Sequence, residues 1–450
     1  MLRRWTLAIL PVACVVTLAG CSSAPNASPS GDRTSLAIQF VQSMTGGKYA
    51  DATKQFNGTM SQAMSADQLK AAWSTLIGQC GAFKRLGGTR TGKEGGFEEV
   101  FVAVECEKTT FDVKVVFDKD NKIGGLWFVP HVAAGEAQYT PPAYAQKGSF
   151  DESEVTVGSG EWKLPGTLTI PKGDGPFPAV VLVHGSGPED RDETIGPNKP
   201  FKDIAWGLAS RGVAVLRYEK RSKVYTDPAK WGKSFTVKEE VIDDALAAVY
   251  LLRNSKKIDP KRIFVLGHSN GGLLSPRIGK ADPEITGLIM MAGCLTQPLE
   301  AVFLRQLTYI ASLNGPMTDE AKKEMAQYEQ QIAIVKSLKP STKSSASLTL
   351  GGPASYWLDI QGYVPAEMAK SLKQPMLIMQ GGRDYQVTEV DFKIWKATLS
   401  SRTNVTFKLY PDLNHLFMTG VGKATPAEYA IPGSVAQTVI DDITSWIGDQ

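Results

Sequence analysis

The sequence predicts an α/β protein: a doubly wound, mainly parallel sheet with a helical cap inserted into it, preceded by a small α+β domain. Three observations carry that reading. Short apolar runs at residues 179–183, 213–216, 263–266, 287–291 and 376–379 lack polar alternation, as strands buried on both faces do, and such strands pair in parallel. Segments of helical period lie between those runs, which gives a sheet with helices on both sides and ligands at the carboxyl ends of the strands. Upstream of residue 131, helical patterns come first and alternating strands follow, the order of an α+β domain.

From the N-terminus, Met1-Leu2-Arg3-Arg4 is basic, residues 5–18 are apolar but too short to span a bilayer, and Leu18-Ala19-Gly20-Cys21 follows. This pattern resembles a bacterial lipoprotein signal, residues 1–20, which implies cleavage before Cys21 and a diacylglycerol on its thiol. Residues 21–34, rich in Ser, Pro, Ala and Asn, then read as a flexible tether to a membrane on the exported side of a bacterial cell. In the small domain, residues 35–131, helical patterns at 36–44 and 66–77 precede a strand in which Phe111, Val113, Val115 and Phe117 alternate with Asp112 and Lys114. Cys80 and Cys106 fall in this one domain, and an oxidising compartment would allow them to pair. The domain resembles one of unknown function found ahead of hydrolases in exported bacterial proteins, similar in pattern to nuclear-transport-factor-like folds. Residues 132–152, with Pro141 and Pro142, read as a linker, and residues 153–450 as the larger domain.

Gly267-His268-Ser269-Asn270-Gly271 follows the apolar run 263–266 and precedes a helical start, so it spells a strand-to-helix elbow. The turn strains the serine backbone and aims the first N–H groups of the helix at the place where an oxyanion would form. Serine chemistry of this kind needs a base, and the chain has four histidines. His131 lies far upstream, while His184 ends a strand and His268 sits inside the elbow, where a ring is held by structural hydrogen bonds. His415 remains, in a turn-rich loop after the strand-like residues 405–410. For the acid, Asp384 follows the strand at 376–379, whereas Asp412, three residues before His415, is placed to fix its own turn.

Landmarks in the order His184-Gly185-Ser186-Gly187, Leu216-Arg217-Tyr218, Ser269, Asp384, His415 resemble an α/β-hydrolase of the bacterial esterase, dienelactone-hydrolase and serine-aminopeptidase-like group. That resemblance implies a Ser269–His415–Asp384 triad, with the backbone N–H groups of Ser186 and Asn270 as the oxyanion hole. The polar stretch 188–200 reads either as a solvated loop or as a wall of the active-site mouth.

Thr236 with Glu239 forms a capping box, and Val241, Ala245, Ala248 and Leu252 repeat at helical spacing after it. Residues 295–372 exceed one crossover helix and predict the cap, with a helix at 321–339 stopped by Pro340. Tyr356, Trp357 and Tyr363 either line an acyl or leaving-group pocket or glue the cap to the sheet. Cys294 reads as a small buried hydrophobe.

A net charge of +3 on 450 residues gives no electrostatic case for nucleic-acid binding. The expected activity is hydrolysis of small acyl esters through an acyl-enzyme, without metal or organic cofactor. A serine peptidase or amidase is the alternative within enzymes, and about one hundred residues ahead of the hydrolase cannot supply a propeller. A ligand-binding envelope lipoprotein without catalysis is the alternative outside enzymes, and the intact set of nucleophile, base, acid and oxyanion turn argues against it.

Overall fold

The computed structural model describes residues 30–94, 97–131, 139–226, 231, 234–293, 299–313, 317, 319–343 and 352–450. They divide into two compact units, one from the chain up to Gln138 and one from Tyr139–Tyr225 with Ala229–Gln450. Residues 1–29, Cys21 among them, and Cys294 lie outside the described residues.

In the first unit, Ser65 and Gln68 close a reciprocal capping box that starts the helix Ala66–Cys80. That helix and Ser30–Thr45 cover one face of an antiparallel sheet of β1 (Phe83–Glu94), β2 (Phe97–Cys106), β3 (Thr110–Phe117) and β4 (Ile123–Pro130). The alternation in β3 works as expected: Phe111, Val113, Val115 and Phe117 join Phe40, Met44 and Trp73 in the core. On the other face Asp112 pairs with His131, Nδ1 to Oδ1 2.6 Å, and Lys114 with Glu99 at 2.7 Å. Cys80 and Cys106 are both buried and stand as free thiols, so the expected bridge is not made here. Burial, then the neighbouring Cys106, pushes the Cys80 thiol up to about 11, away from the thiolate that disulfide chemistry needs.

In the second unit β5 (Phe150–Val157), β6 (Leu164–Pro171), β7 (Phe177–Val183), β8 (Ala214–Tyr218), β9 (Ile258–His268), β10 (Gly287–Met291), β11 (Met376–Gly381) and β12 (Val405–Tyr410) form one sheet. Its order is β12-β11-β10-β9-β7-β8-β6-β5. β7 to β12 pair in parallel, and β6 joins β8 antiparallel with β5 outside it. Alternate residues of the central strands feed two cores: Val181, Val183 and Val265 on one face, Val180, Leu182 and Leu266 on the other. The helices Asp243–Arg253 and Asn270–Ala281 cover the first face, Pro200–Ala209 and Gln437–Gly448 the second.

The linker is shorter than its composition suggests. The Tyr139 hydroxyl donates to Asp203 at 2.7 Å and that of Tyr144 to the Val435 carbonyl at 2.7 Å, so residues from Tyr139 on belong to the second unit. The capping box at Thr236 is also present, with the Thr236 N–H 2.7 Å from Glu239. The helix it opens begins with a wide π turn, Lys238–Ile242, before continuing as Asp243–Arg253. The cap contributes Leu299–Ser312, Asp319–Ser337, Ala354–Ile360 and Pro365–Ala369.

Candidate active site

β9 ends at His268, and Ser269 stands between it and the helix Asn270–Ala281 with φ 50° and ψ −113°, a conformation strained for any side chain. The flanking glycines permit it. A Cβ on Gly267 would run into the backbone of Gly271, and one on Gly271 into the Val183 carbonyl of the neighbouring strand. His268 and Asn270 are buried while Ser269 is half-buried, so the serine is the residue of the elbow presented at the sheet's carboxyl edge.

His415 and Asp384 meet across the loops that follow β12 and β11, with Nδ1 to Oδ2 at 2.7 Å. Asp384 is held from three further sides: its Oδ1 accepts the N–H groups of Gln386 (2.8 Å) and Val387 (3.0 Å), and its Oδ2 accepts from Gln380 Nε2 (3.1 Å). These bonds fix the carboxylate and orient the imidazole with Nε2 on its far side. Neither His415 Nε2 nor Ser269 Oγ makes a hydrogen bond among the described residues. Asp412 is exposed, and its carbonyl accepts the Gly420 N–H at 3.0 Å, which makes it a turn residue.

A second histidine–carboxylate pair lies directly beneath. The ring centroids of His268 and His415 are 4.8 Å apart. His268 Nε2 donates to the backbone carbonyl of His415 at 3.0 Å, and its Nδ1 lies 2.9 Å from Glu193 Oε2. Burial alone would lower the imidazole, but the Glu193 carboxylate and the His415 carbonyl outweigh it and lift His268 to about 8. Glu193, equally buried, is held below the usual carboxylate range by that imidazolium and by the Gly185 N–H, which donates to Oε1 at 2.8 Å. His184 takes the opposite course: packed against Phe201 and Tyr218, it is driven by burial down to about 4 and is neutral.

Glu193 was not legible in the sequence. The stretch 188–200 reads there as a solvated loop or a mouth wall, yet Asp192, Glu193 and Asn198 are all buried. Arg217 pairs with Asp192, and Asn198 bonds the carbonyls of Tyr429 (2.9 Å) and Ile431 (3.1 Å) and the N–H of Gly433 (2.8 Å). The stretch is a polar plug. Its one sequence signal is Asp190, whose carboxylate accepts the N–H groups of Asp192 and Thr194 and folds the loop inward. The Ser186 and Asn270 amides make no backbone or side-chain bond among the described residues.

Of the cap aromatics, Trp357 is buried in a small core with Val335, Leu338 and Ala354, and the Tyr363 hydroxyl donates to the Leu273 carbonyl at 2.9 Å. Both glue the cap. Tyr356 differs, because burial and the neighbouring Glu240 carboxylate raise its phenol well above the usual range.

A doubly wound sheet that carries a strained Gly-x-Ser-x-Gly elbow at the carboxyl end of a central strand defines a serine hydrolase of the α/β-hydrolase fold. Residues 176–420 match the family model described as serine aminopeptidase, S33, and the chain belongs to that family. Residues 37–126 match a family of proteins of unknown function, DUF3887. The chain is 40% identical to esterase EstD of Thermotoga maritima over 412 residues, 91% of this chain and 94% of that protein. It is 26% identical to esterase FrsA of Klebsiella pneumoniae over 152 residues, 34% of this chain and 33% of the other. Among solved structures, Est1E from Butyrivibrio proteoclasticus is similar with 16% identity and a TM-score of 0.42, covering 66% of this chain and 99% of that one. A Pyrococcus furiosus esterase is similar with 19% identity and a TM-score of 0.43, covering 71% and 95%.

Proposed function

We propose that this chain is a carboxylesterase that cleaves small acyl esters through an acyl-enzyme intermediate. The observation that carries the reading is the buried Asp384–His415 pair, 2.7 Å apart, in the same loop cluster as the strained Ser269 and with imidazole Nε2 left unbonded among the described residues. His415 Nε2 takes the Ser269 Oγ proton as Oγ bonds the acyl carbon, and the Ser186 and Asn270 amides receive the oxyanion. The same proton then goes to the leaving alkoxide. Water enters by the reverse roles, giving the acid and restoring Ser269. Asp384 holds the imidazole in its working tautomer. Similarity to an esterase across both domains favours esters over peptide amides.

The Leu18-Ala19-Gly20-Cys21 motif supports an enzyme tethered by lipid on Cys21 to the outer side of a membrane in the bacterial envelope. Cys21→Ser should abolish membrane partition in a cell fractionation.

The substrate reading is tested by comparing purified protein on p-nitrophenyl esters from acetyl to octanoyl and on aminoacyl p-nitroanilides. kcat/KM should be highest on short esters by at least about 100-fold over any anilide, a difference of about 3 kcal/mol in transition-state binding. A preference for the anilides would replace esterase by aminopeptidase.

A further inference from the structure

We propose that Lys220 is a positioning residue for the oxyanion hole, acting through the Gly185–Ser186 peptide. The inference rests on the esterase reading and deepens it. Lys220 is only 3% exposed, and its ammonium donates to the Gly185 carbonyl at 2.8 Å. In a trans peptide the carbonyl of one residue and the N–H of the next point in opposite directions in one plane. An ammonium on the Gly185 oxygen therefore turns the Ser186 N–H away from Lys220. The Cβ position of Gly185 is 3.3 Å from Ser269 Cβ, so this peptide is immediate to the elbow.

The charge does more than aim. Withdrawing electron density from the carbonyl makes the N–H of the same peptide a stronger donor, as in any chain of polarised hydrogen bonds. The donor is thereby matched to a developing negative charge, where preorganised dipoles have their largest effect on rate. Three further bonds keep the turn from swivelling. The preceding peptide is held by the Gly185 N–H on Glu193, 2.8 Å, the Lys220 N–H donates to the Glu189 carbonyl at 3.1 Å, and the Ser222 hydroxyl donates to the Gly187 carbonyl at 3.3 Å.

Lys220 is itself anchored. Its Nζ lies 3.1 Å from Glu240 Oε1, on the π turn, and the Glu240 carboxylate also faces the phenol of Tyr356 in the cap. The π turn has a role in this, since it carries Glu240 at the mouth end of a helix whose Val241, Ala245 and Ala248 pack in the core.

The test uses the full-length mature protein with p-nitrophenyl acetate and with a trifluoromethyl ketone, whose adduct on the serine bears an oxyanion. Lys220→Met should lower kcat on the order of 10–100-fold with KM within about threefold, and weaken the ketone by the same factor as kcat/KM. Lys220→Arg should recover part of both. Where Lys220→Met does not fold, Lys220→Met/Glu240→Gln removes the buried charge on both sides and should show the same loss. Unchanged kcat and ketone affinity in a folded variant would overturn the role of Lys220, as would a loss confined to KM. Failure of the esterase reading looks different: wild type itself would be inert towards ester and ketone.

Discussion

Two histidine–carboxylate pairs sit one above the other in this molecule, and they are built for opposite ends. In the upper one, His415–Asp384, Nδ1 is held by the carboxylate and Nε2 makes no bond among the described residues. In the lower one, His268–Glu193, Nε2 bonds the His415 carbonyl and Nδ1 faces the Glu193 carboxylate as an ion pair at 2.9 Å. A ring with one nitrogen left over can move a proton, whereas a ring with none is a charged strut. The strut supports the proposed base directly, because it holds the backbone carbonyl of His415. What separates the two pairs is what faces the second ring nitrogen, a buried carboxylate for His268 and no partner among the described residues for His415, not residue type or burial.

The comparison is broken most decisively at Asp384. Asp384→Asn should lower kcat by about 10⁴-fold while the melt stays close to wild type, because the imidazole loses the tautomer that presents an acceptor to Ser269. Steady-state kinetics beside a thermal scan would measure both.

Glu193→Gln should show the reverse balance. It breaks a buried ion pair and lets His268 fall to the neutral ring, a defect that costs about 3–5 kcal/mol of stability, and kcat should fall far less than in Asp384→Asn. Urea denaturation gives the first number and ester turnover the second. Equal losses of activity in the two variants would erase the distinction between base and strut.

The lower pair also predicts a pH dependence. With its pKa lifted from 6.5 to about 8, His268 contributes stability that is fully present below 6.5 and is lost as pH rises through about 8. The size is about 2 kcal/mol. His184 works with the opposite sign: held down near 4, it costs stability as pH falls from 6.5 towards 4. Denaturation curves between pH 4 and 9 on wild type and Glu193→Gln should show the alkaline loss in the first and not in the second.

The smallest effect belongs to Asp412. Asp412→Asn should change kcat within about twofold, since its side chain is exposed and its backbone carbonyl makes the turn bond. A large loss there, with Asp384→Asn mild, would move the acid.

What could be read in the sequence was whatever an apolar strand points at. Ser269 and Asp384 lie just beyond runs of buried strand residues, whereas His415 follows the half-buried edge strand β12 and stands out through the short supply of histidines, so strand periodicity points to the first two along with the parallel sheet. Glu193 and Lys220 escaped because hydropathy scores a charged residue as solvated, and only the fold shows each facing a partner: His268 for one, the Gly185 carbonyl and Glu240 for the other. β5 was missed for a related reason. Its stretch Asp151-Glu152-Ser153-Glu154 is exposed at the sheet edge and carries no apolar run. The linker was overdrawn because Pro141 and Pro142 suggest a loop, while Tyr139 and Tyr144 take their worth from hydrogen bonds to Asp203 and Val435, distant in sequence.

The central claim is that Ser269 is the nucleophile activated by the upper pair. Purified wild type treated with a fluorophosphonate and digested should carry one adduct, on the peptide containing Ser269, and Ser269→Ala should carry none while keeping its thermal melt. Asp384→Asn should label far more slowly at the same residue. An adduct elsewhere, or ester hydrolysis undiminished in Ser269→Ala, would contradict the account.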